Sequence, residues 1–283
     1  MSIYLDYQVI DVDTCEPVPN VYLEIWHCNS TGVYSGVVAS GNGNTNDEDN
    51  INKTFLRGIQ QTDTDGVAQF ESIFPGHYTG RATHIHVLVH TNATEFANHT
   101  LGNEIYASHV GQSFFDQNLI TDVEKLTPYS TNTQDLTTNA DDSILAEEAD
   151  EAGVDPLMSY TLLGNSVGDG ILAWLTFGIN TTYSGEVTPA AFLYQDGGVE
   201  NPDSGMGGGP GGGGPDGGSP PDGGPGGPPG SNSTSTPGGS SSASSTTSSV
   251  AQSTPTDSGA SKYTFGVVFV SLVGFFLPLL WML

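Results

Sequence analysis

The chain has 283 residues and a formal net charge of -27, from 32 Asp plus Glu against 5 Lys plus Arg. A surface so charged repels a phosphate backbone and offers no basic patch to an anionic membrane face, which excludes nucleic acid as a partner. Charged residues are nevertheless only 13% of the sequence, and every His and both Cys precede Tyr194, so a buried core has to come from the first two thirds.

Residues 1–13 have neither the basic start nor the uninterrupted apolar run of a signal peptide. Ser2, Tyr4, Asp6 and Gln8 alternate with Ile3, Leu5, Tyr7 and Val9, which predicts a strand from the outset and a sequence that lacks its true N-terminus. The same period of two, with β-branched and aromatic residues, predicts strands over 3–12, 21–26, 67–70, 84–90, 158–163 and 171–177. Turn clusters such as Asp63-Thr64-Asp65-Gly66 and Phe74-Pro75-Gly76 separate them. The expected fold over residues 1–195 is all-β, an antiparallel β-sandwich with short helices at 114–125 and 141–152. Cys15 and Cys28 are the candidate disulfide, their pairing left open by the sequence.

Residues 196–262 hold no aromatic, Cys or His, only Gly, Pro and Asp repeats and then a Ser/Thr stretch. So little apolar surface cannot offset the entropy of ordering the backbone, which predicts a disordered linker or stalk. Residues 263–283 are almost wholly apolar and about long enough to span a bilayer core. With no basic residue after them, they form the pattern of a GPI-anchor signal, an ordinary C-terminal membrane anchor being the alternative. Sequons at Asn29, Asn52, Asn92, Asn98, Asn180 and Asn232 agree with an extracellular or cell-surface location.

The stretch that carries chemistry runs from Phe74 to His86. On a strand, His84 and His86 project from the same face and present two imidazoles side by side, a natural pair of metal ligands. A merely polar strand face is the bland alternative, and His90 continues that face. Tyr78 and Arg81 precede the pair, and Arg81 is one of only two arginines. Zinc sites draw more often on thiolate or carboxylate, and the first acid after the pair, Glu95, is too distant for a two-His, one-carboxylate site of cupin spacing. Tyrosine is a hard phenolate donor suited to trivalent iron, whose charge two phenolates and a hydroxide would balance. That calls for a second tyrosine, and Tyr34 follows a strand and a glycine turn.

The ordered set Trp26-His27-x-Asn29-x-x-Gly32-x-Tyr34-Ser35, Phe55-Leu56-Arg57-Gly58, Thr62-Asp63-x-x-Gly66, Pro75-Gly76-x-Tyr78-x-x-Arg81-x-x-His84-Ile85-His86 and His109-Val110-Gly111-Gln112-x-Phe114-Phe115 resembles the intradiol ring-cleavage dioxygenases, most closely their fungal-type secreted branch. The resemblance implies a non-haem Fe(3+) held by Tyr34, Tyr78, His84 and His86. It also implies a catechol-like diol bound as a chelating dianion as Tyr78 leaves, then opened with dioxygen to a muconate-type diacid. In the same resemblance Arg81 stabilises developing negative charge and Gln112 is the supporting glutamine, while His27 is a core or rim residue. The rival from another class is a non-catalytic cell-surface glycoprotein that keeps the sandwich as a binding module. A zinc or copper His-x-His protein is the third possibility.

Overall fold

A computed structural model describes residues 1–38, 42, 46–97, 99–102, 105–150, 155–204 and 268–269. Its first strand, β1 (Ser2–Asp11), sends Ile3, Leu5, Tyr7 and Val9 inward and leaves the intervening residues outside, as the sequence alternation requires. β2 (Tyr22–Trp26), β3 (Arg57–Gln61), β4 (Val67–Ile73) and β5 (His84–His90) follow. Three two-residue strands come next, β6 (Thr94–Glu95), β7 (Leu101–Gly102) and β8 (Tyr106–Ala107), then β9 (His109–Phe114). After helices α1 (Gln117–Val123) and α2 (Ser143–Asp150) come β10 (Ser159–Leu162), β11 (Ile171–Ile179), β12 (Gly185–Glu186), β13 (Ala191–Tyr194) and β14 (Gly197–Glu200).

Two sheets dominate, in the orders β10-β11-β1-β4 and β3-β2-β5-β9. Their inner faces share one core: Ile3, Leu5, Tyr7 and Val9 with Ile171, Ala173 and Phe177 from the first sheet, Leu23, Ile25, Ile85, Val87 and Val89 from the second. Each Val, Leu, Ile or Phe among them contributes about 1.5 to 3 kcal/mol by leaving water. The predicted all-β sandwich with short helices is therefore the fold. Within these two strand orders the neighbours β1 and β11 are parallel, from Ile3 opposite Ile171 to Asp11 opposite Ile179, and the other neighbours are antiparallel. Helix α1 starts at Asp116, whose side chain accepts from the Asn118 and Leu119 amides, and it closes one end of the core with Leu119, Ile120 and Val123.

The two cysteines stand as thiols. Cys15 is exposed in the turn after β1, whereas Cys28 is buried beyond β2 and donates to the Gly76 carbonyl at 3.1 Å. The candidate disulfide is thus corrected: the buried thiol already has its partner in the backbone. The predicted linker and apolar C-terminal run lie outside the described residues, apart from β14 and the segment to Ser204, and from β15 (Val268–Phe269), which runs parallel to β11 at Phe177 and Gly178. Among the described residues no helix is long and apolar enough to cross a membrane.

Candidate metal centre

Alternation along β5 decides where the site lies. Ile85, Val87 and Val89 point into the core, so His84 and His86 project from the outer face of the second sheet. On that face Trp26 of β2 lies opposite His86, and Gln112 of β9 flanks His86 on its other side. A second apolar cluster covers this face: Trp26, Cys28, Tyr34, Val37, Leu88, Ala107, Val187 and Ala190, with Tyr78 and Val110 packed against it.

Each tyrosine comes from a loop that the sequence makes rigid. In the turn after β2, Asn29 Oδ1 accepts from the Thr31 and Val33 amides and the Thr31 hydroxyl, and Gly32 takes φ +75°. The Tyr34 amide donates to Asn42 Oδ1 at 2.8 Å, while the Tyr34 carbonyl accepts from Asn42 Nδ2 at 3.0 Å and Asn50 Nδ2 at 2.5 Å. Tyr78 lies in the loop before β5, beside Gly80 at φ +93°. The two loops touch backbone to backbone. The Gly76 amide donates to the Asn29 carbonyl at 3.1 Å. A Cβ on Gly32 would stand 2.2 Å from the His77 carbonyl oxygen, and one on Gly76 would stand 2.5 Å from that of Ser30. A glycine two positions before each tyrosine is what lets the pair approach.

Four donor atoms converge there. His84 Nε2 is 3.2 Å from Tyr34 Oη, 3.4 Å from Tyr78 Oη and 3.2 Å from His86 Nε2. His84 Nδ1 is 2.7 Å from the Ala82 carbonyl, which can only accept. That contact assigns the proton to Nδ1 and leaves Nε2 with a single lone pair in the ring plane. One lone pair cannot serve three close neighbours as hydrogen bonds, but it can be one corner of a metal's donor set. Donors bonded at about 2.0 to 2.2 Å to a common ion lie about 3 Å apart at adjacent corners, which is the spacing seen. The residues fit a small, hard cation. Among the described residues no group of three or more His, Cys, Asp or Glu is placed to hold a metal, so a donor set here depends on the tyrosines.

Burial holds all four side chains neutral in the metal-free protein. The Tyr34 phenol is pushed well above its ordinary value by burial and then by neighbouring Tyr78. Burial raises Tyr78 to about 12 against the opposing pull of Arg81. Burial, then Arg81, holds His84 well below the ordinary imidazole value and brings His86 down to about 3. A metal of high charge would displace two phenolic protons and no imidazole proton.

Arg81 Nη2 donates to Gln112 Oε1 at 2.5 Å, and Arg81 Nε donates to Asp142 Oδ2 at 3.0 Å. The other arginine, Arg57, pairs with Glu24 at 2.6 Å and stacks over Trp26 at 5.3 Å, and Trp26 in turn meets Tyr34 edge-on at 4.7 Å. The structure thus brings together Tyr34, Tyr78, His84, His86, Arg81 and Gln112. His27 is fully buried between the Cys28 carbonyl and the Ser72 hydroxyl, both at 2.8 Å. His77 sits between Glu124 and the Gln134 carbonyl, and His90 between Glu24 and the Tyr106 carbonyl. Sequence reasoning did not find Asn42, Asn50 or Asp142. The only local signal for Asp142 was its place ahead of Ser143-Ile144-Leu145, where a helix start favours Asp.

The dioxygenase family model matches residues 1–145, just over half of the chain, and the chain belongs to that family, the intradiol ring-cleavage dioxygenases. It is similar to the solved intradiol ring-cleavage dioxygenase of Tetranychus urticae at 26% identity, over 65% of this chain and 82% of that one, with a TM-score of 0.50. The dioxygenase domain of a dioxygenase and carbohydrate-binding protein fusion from Streptomyces sp. SirexAA-E matches at 19% identity over 62% and 78%, TM-score 0.37. The 3-chlorocatechol 1,2-dioxygenase of Rhodococcus opacus 1CP matches at 15% identity over 63% and 59%, TM-score 0.37. No curated protein sequence matches.

Proposed function

We propose that the chain is a ferric, non-haem intradiol dioxygenase that opens the ring of a catechol-like diol with both atoms of dioxygen, giving a muconate-type diacid. The observation that carries this is the convergence of Tyr34 Oη, Tyr78 Oη and His86 Nε2 on the one free lone pair of His84. Two phenolates, which are hard anionic donors, with two imidazoles, which suit iron, match a trivalent iron ion. Iron held by Tyr34, Tyr78, His84 and His86 would supply Lewis acidity toward a diol and the electronic route for its reaction with dioxygen.

The chain's own residues do the rest. Tyr34 is buried, whereas Tyr78 is partly exposed on the loop whose Gly80 has open space around it, so Tyr78 is the side chain free to swing aside. A displaced Tyr78 phenolate, whose ordinary pKa of about 10 lies well above neutral pH, would take up one of the two protons that the diol gives up, and the hydroxide that balances the third charge would take the other. Arg81 aims a fixed positive charge at the face where negative charge develops on the ring, an effect that is large where water is excluded. Val37, Leu88, Ala107, Val187 and Ala190 supply that exclusion.

Both arginines are already paired with buried carboxylates, Arg81 with Asp142 and Arg57 with Glu24, which favours an uncharged diol over one bearing a carboxylate. The Ser/Thr-rich stretch and apolar C-terminal run support a cell-surface enzyme held by a GPI anchor, and release by a phosphatidylinositol-specific phospholipase tests that part. For the activity, iron-loaded protein mixed with catechol should consume one dioxygen per ring and yield the diacid. Absence of uptake across a panel of catechols would remove the proposal in favour of a binding module.

A further inference from the structure

Asp142 is an acid far from β5 in sequence whose side chain is 0% exposed. A buried carboxylate needs compensation at every lone pair, and this one has it on both oxygens. Oδ2 accepts from Arg81 Nε at 3.0 Å and from the Ala82 amide at 2.6 Å. Oδ1 accepts from the Ile144 and Leu145 amides at 2.9 and 3.0 Å, capping the start of α2. Ala82 is also the residue whose carbonyl fixes the His84 ring. The carboxylate therefore grips the backbone and the guanidinium of the short segment between Tyr78 and His84, and anchors that grip in a helix.

We propose that Asp142 is a positioning residue for the centre, holding the Arg81 guanidinium by its Nε edge so that Nη2 reaches Gln112 and its charge faces the ring of the bound diol. This role in turnover rests on the dioxygenase function proposed above; the hold on Arg81 does not. A long, 18% exposed side chain with no partner on Nε would sample several rotamers, and the entropy of fixing it would fall on the reacting complex instead.

The sequence makes the test simple, because Arg57 and Arg81 are the only arginines and give two guanidinium Nε–H signals in the NMR spectrum of the metal-free protein. In Asp142→Asn the amide cannot accept on both sides, and the Arg81 signal should exchange with solvent at least about tenfold faster while that of Arg57 is unchanged. Asp142→Ser, which still caps α2, should do the same if Asn disturbs folding. With iron, both variants should keep metal content and the visible charge-transfer band. Their kcat on catechol should fall about 30- to 100-fold with KM little changed. In an Arg81→Lys background, Asp142→Asn should cost under about threefold more, since the two act through one guanidinium. An Arg81 signal as protected in both variants as in the wild type overturns the proposal, as does an unchanged kcat in both variants where the wild-type enzyme turns over. Wild-type protein that takes up no oxygen with catechols overturns the dioxygenase function, and the exchange measurement then decides on Asp142 by itself.

Discussion

Tyr34 Oη and His84 Nε2, carried by segments 50 positions apart, stand 3.2 Å from each other on the outer face of the second sheet. Neither belongs to the main core, and their neighbours spend rigid backbone contacts on bringing them together. Replacing Tyr34 by Phe would remove one of the two proposed phenolate ligands and, in the metal-free protein, one buried hydrogen bond worth about 1 kcal/mol net. Metal analysis should then find iron reduced to less than about a tenth of a full site, while thermal melting of the metal-free protein shifts by only a few degrees.

Iron affinity should rise steeply with pH. In the metal-free site both phenols are raised, Tyr78 to about 12, whereas His86 is lowered to about 3 and His84 well below its ordinary value. Between pH 5 and 8 the imidazoles are already bare and the phenols still protonated, so binding expels two protons. Each contributes up to tenfold per pH unit, about 100-fold together. Competition against a chelator of known protonation measures this slope, and a slope of zero would mean that the tyrosines do not bind as phenolates.

The paired glycines should be as sensitive as the ligands. Gly32→Ala places a methyl at φ +75° and 2.2 Å from the His77 carbonyl oxygen, and Gly76→Ala drives one to 2.5 Å from the Ser30 carbonyl oxygen. Each should cost about 2 to 4 kcal/mol by urea unfolding and lower iron affinity by pulling the two tyrosine loops apart. Gly80→Ala, where a Cβ meets nothing within 4 Å, should cost only the backbone strain of its positive φ.

The fold carries an acid-sensitive element away from the centre. His109 of β9 is buried against Phe177 at 4.7 Å, and burial lowers its imidazole to about 4. Unfolded, it takes up a proton near 6.5. Between those values the unfolded chain binds more protons, so stability is full above pH 6.5, is lost as pH falls, and levels off below about 4. The window is worth about 3 kcal/mol. His109→Leu should flatten that limb in urea titrations repeated across pH, whereas an unchanged profile would assign the acid loss to other groups such as His27, also held at about 4.

Six of the eight strands in the orders β10-β11-β1-β4 and β3-β2-β5-β9 were legible from apolar alternation: β1, β2, β4, β5, β10 and β11 lie where it puts them. β3 was not, since Arg57-Gly58-Ile59-Gln60-Gln61 is a half-exposed edge with little apolar repeat. Nor was β9, where His109, Gln112 and Ser113 are buried but polar and Phe114 alone is a buried apolar residue. The His84 and His86 pair could be read from strand period alone, but nothing local singled out Tyr34, which only the ordered motifs reached. Asn42 and Asn50 act on the Tyr34 backbone and Asp142 on the Ala82 amide and the Arg81 guanidinium, contacts that no spacing along the chain records. The sequence left the pairing of Cys15 and Cys28 open for a related reason: their proximity along the chain says nothing of the carbonyl that Cys28 faces.

The most direct test of the central claim is the visible spectrum of the protein loaded with ferric iron, recorded before and after catechol is added without oxygen. Phenolate ligation by Tyr34 and Tyr78 predicts one iron per chain, a coloured charge-transfer band, and a shift of that band to longer wavelength as the diol binds and Tyr78 leaves. Protein that takes up iron but stays colourless, or whose band persists in the Tyr34→Phe, Tyr78→Phe double variant, would contradict it.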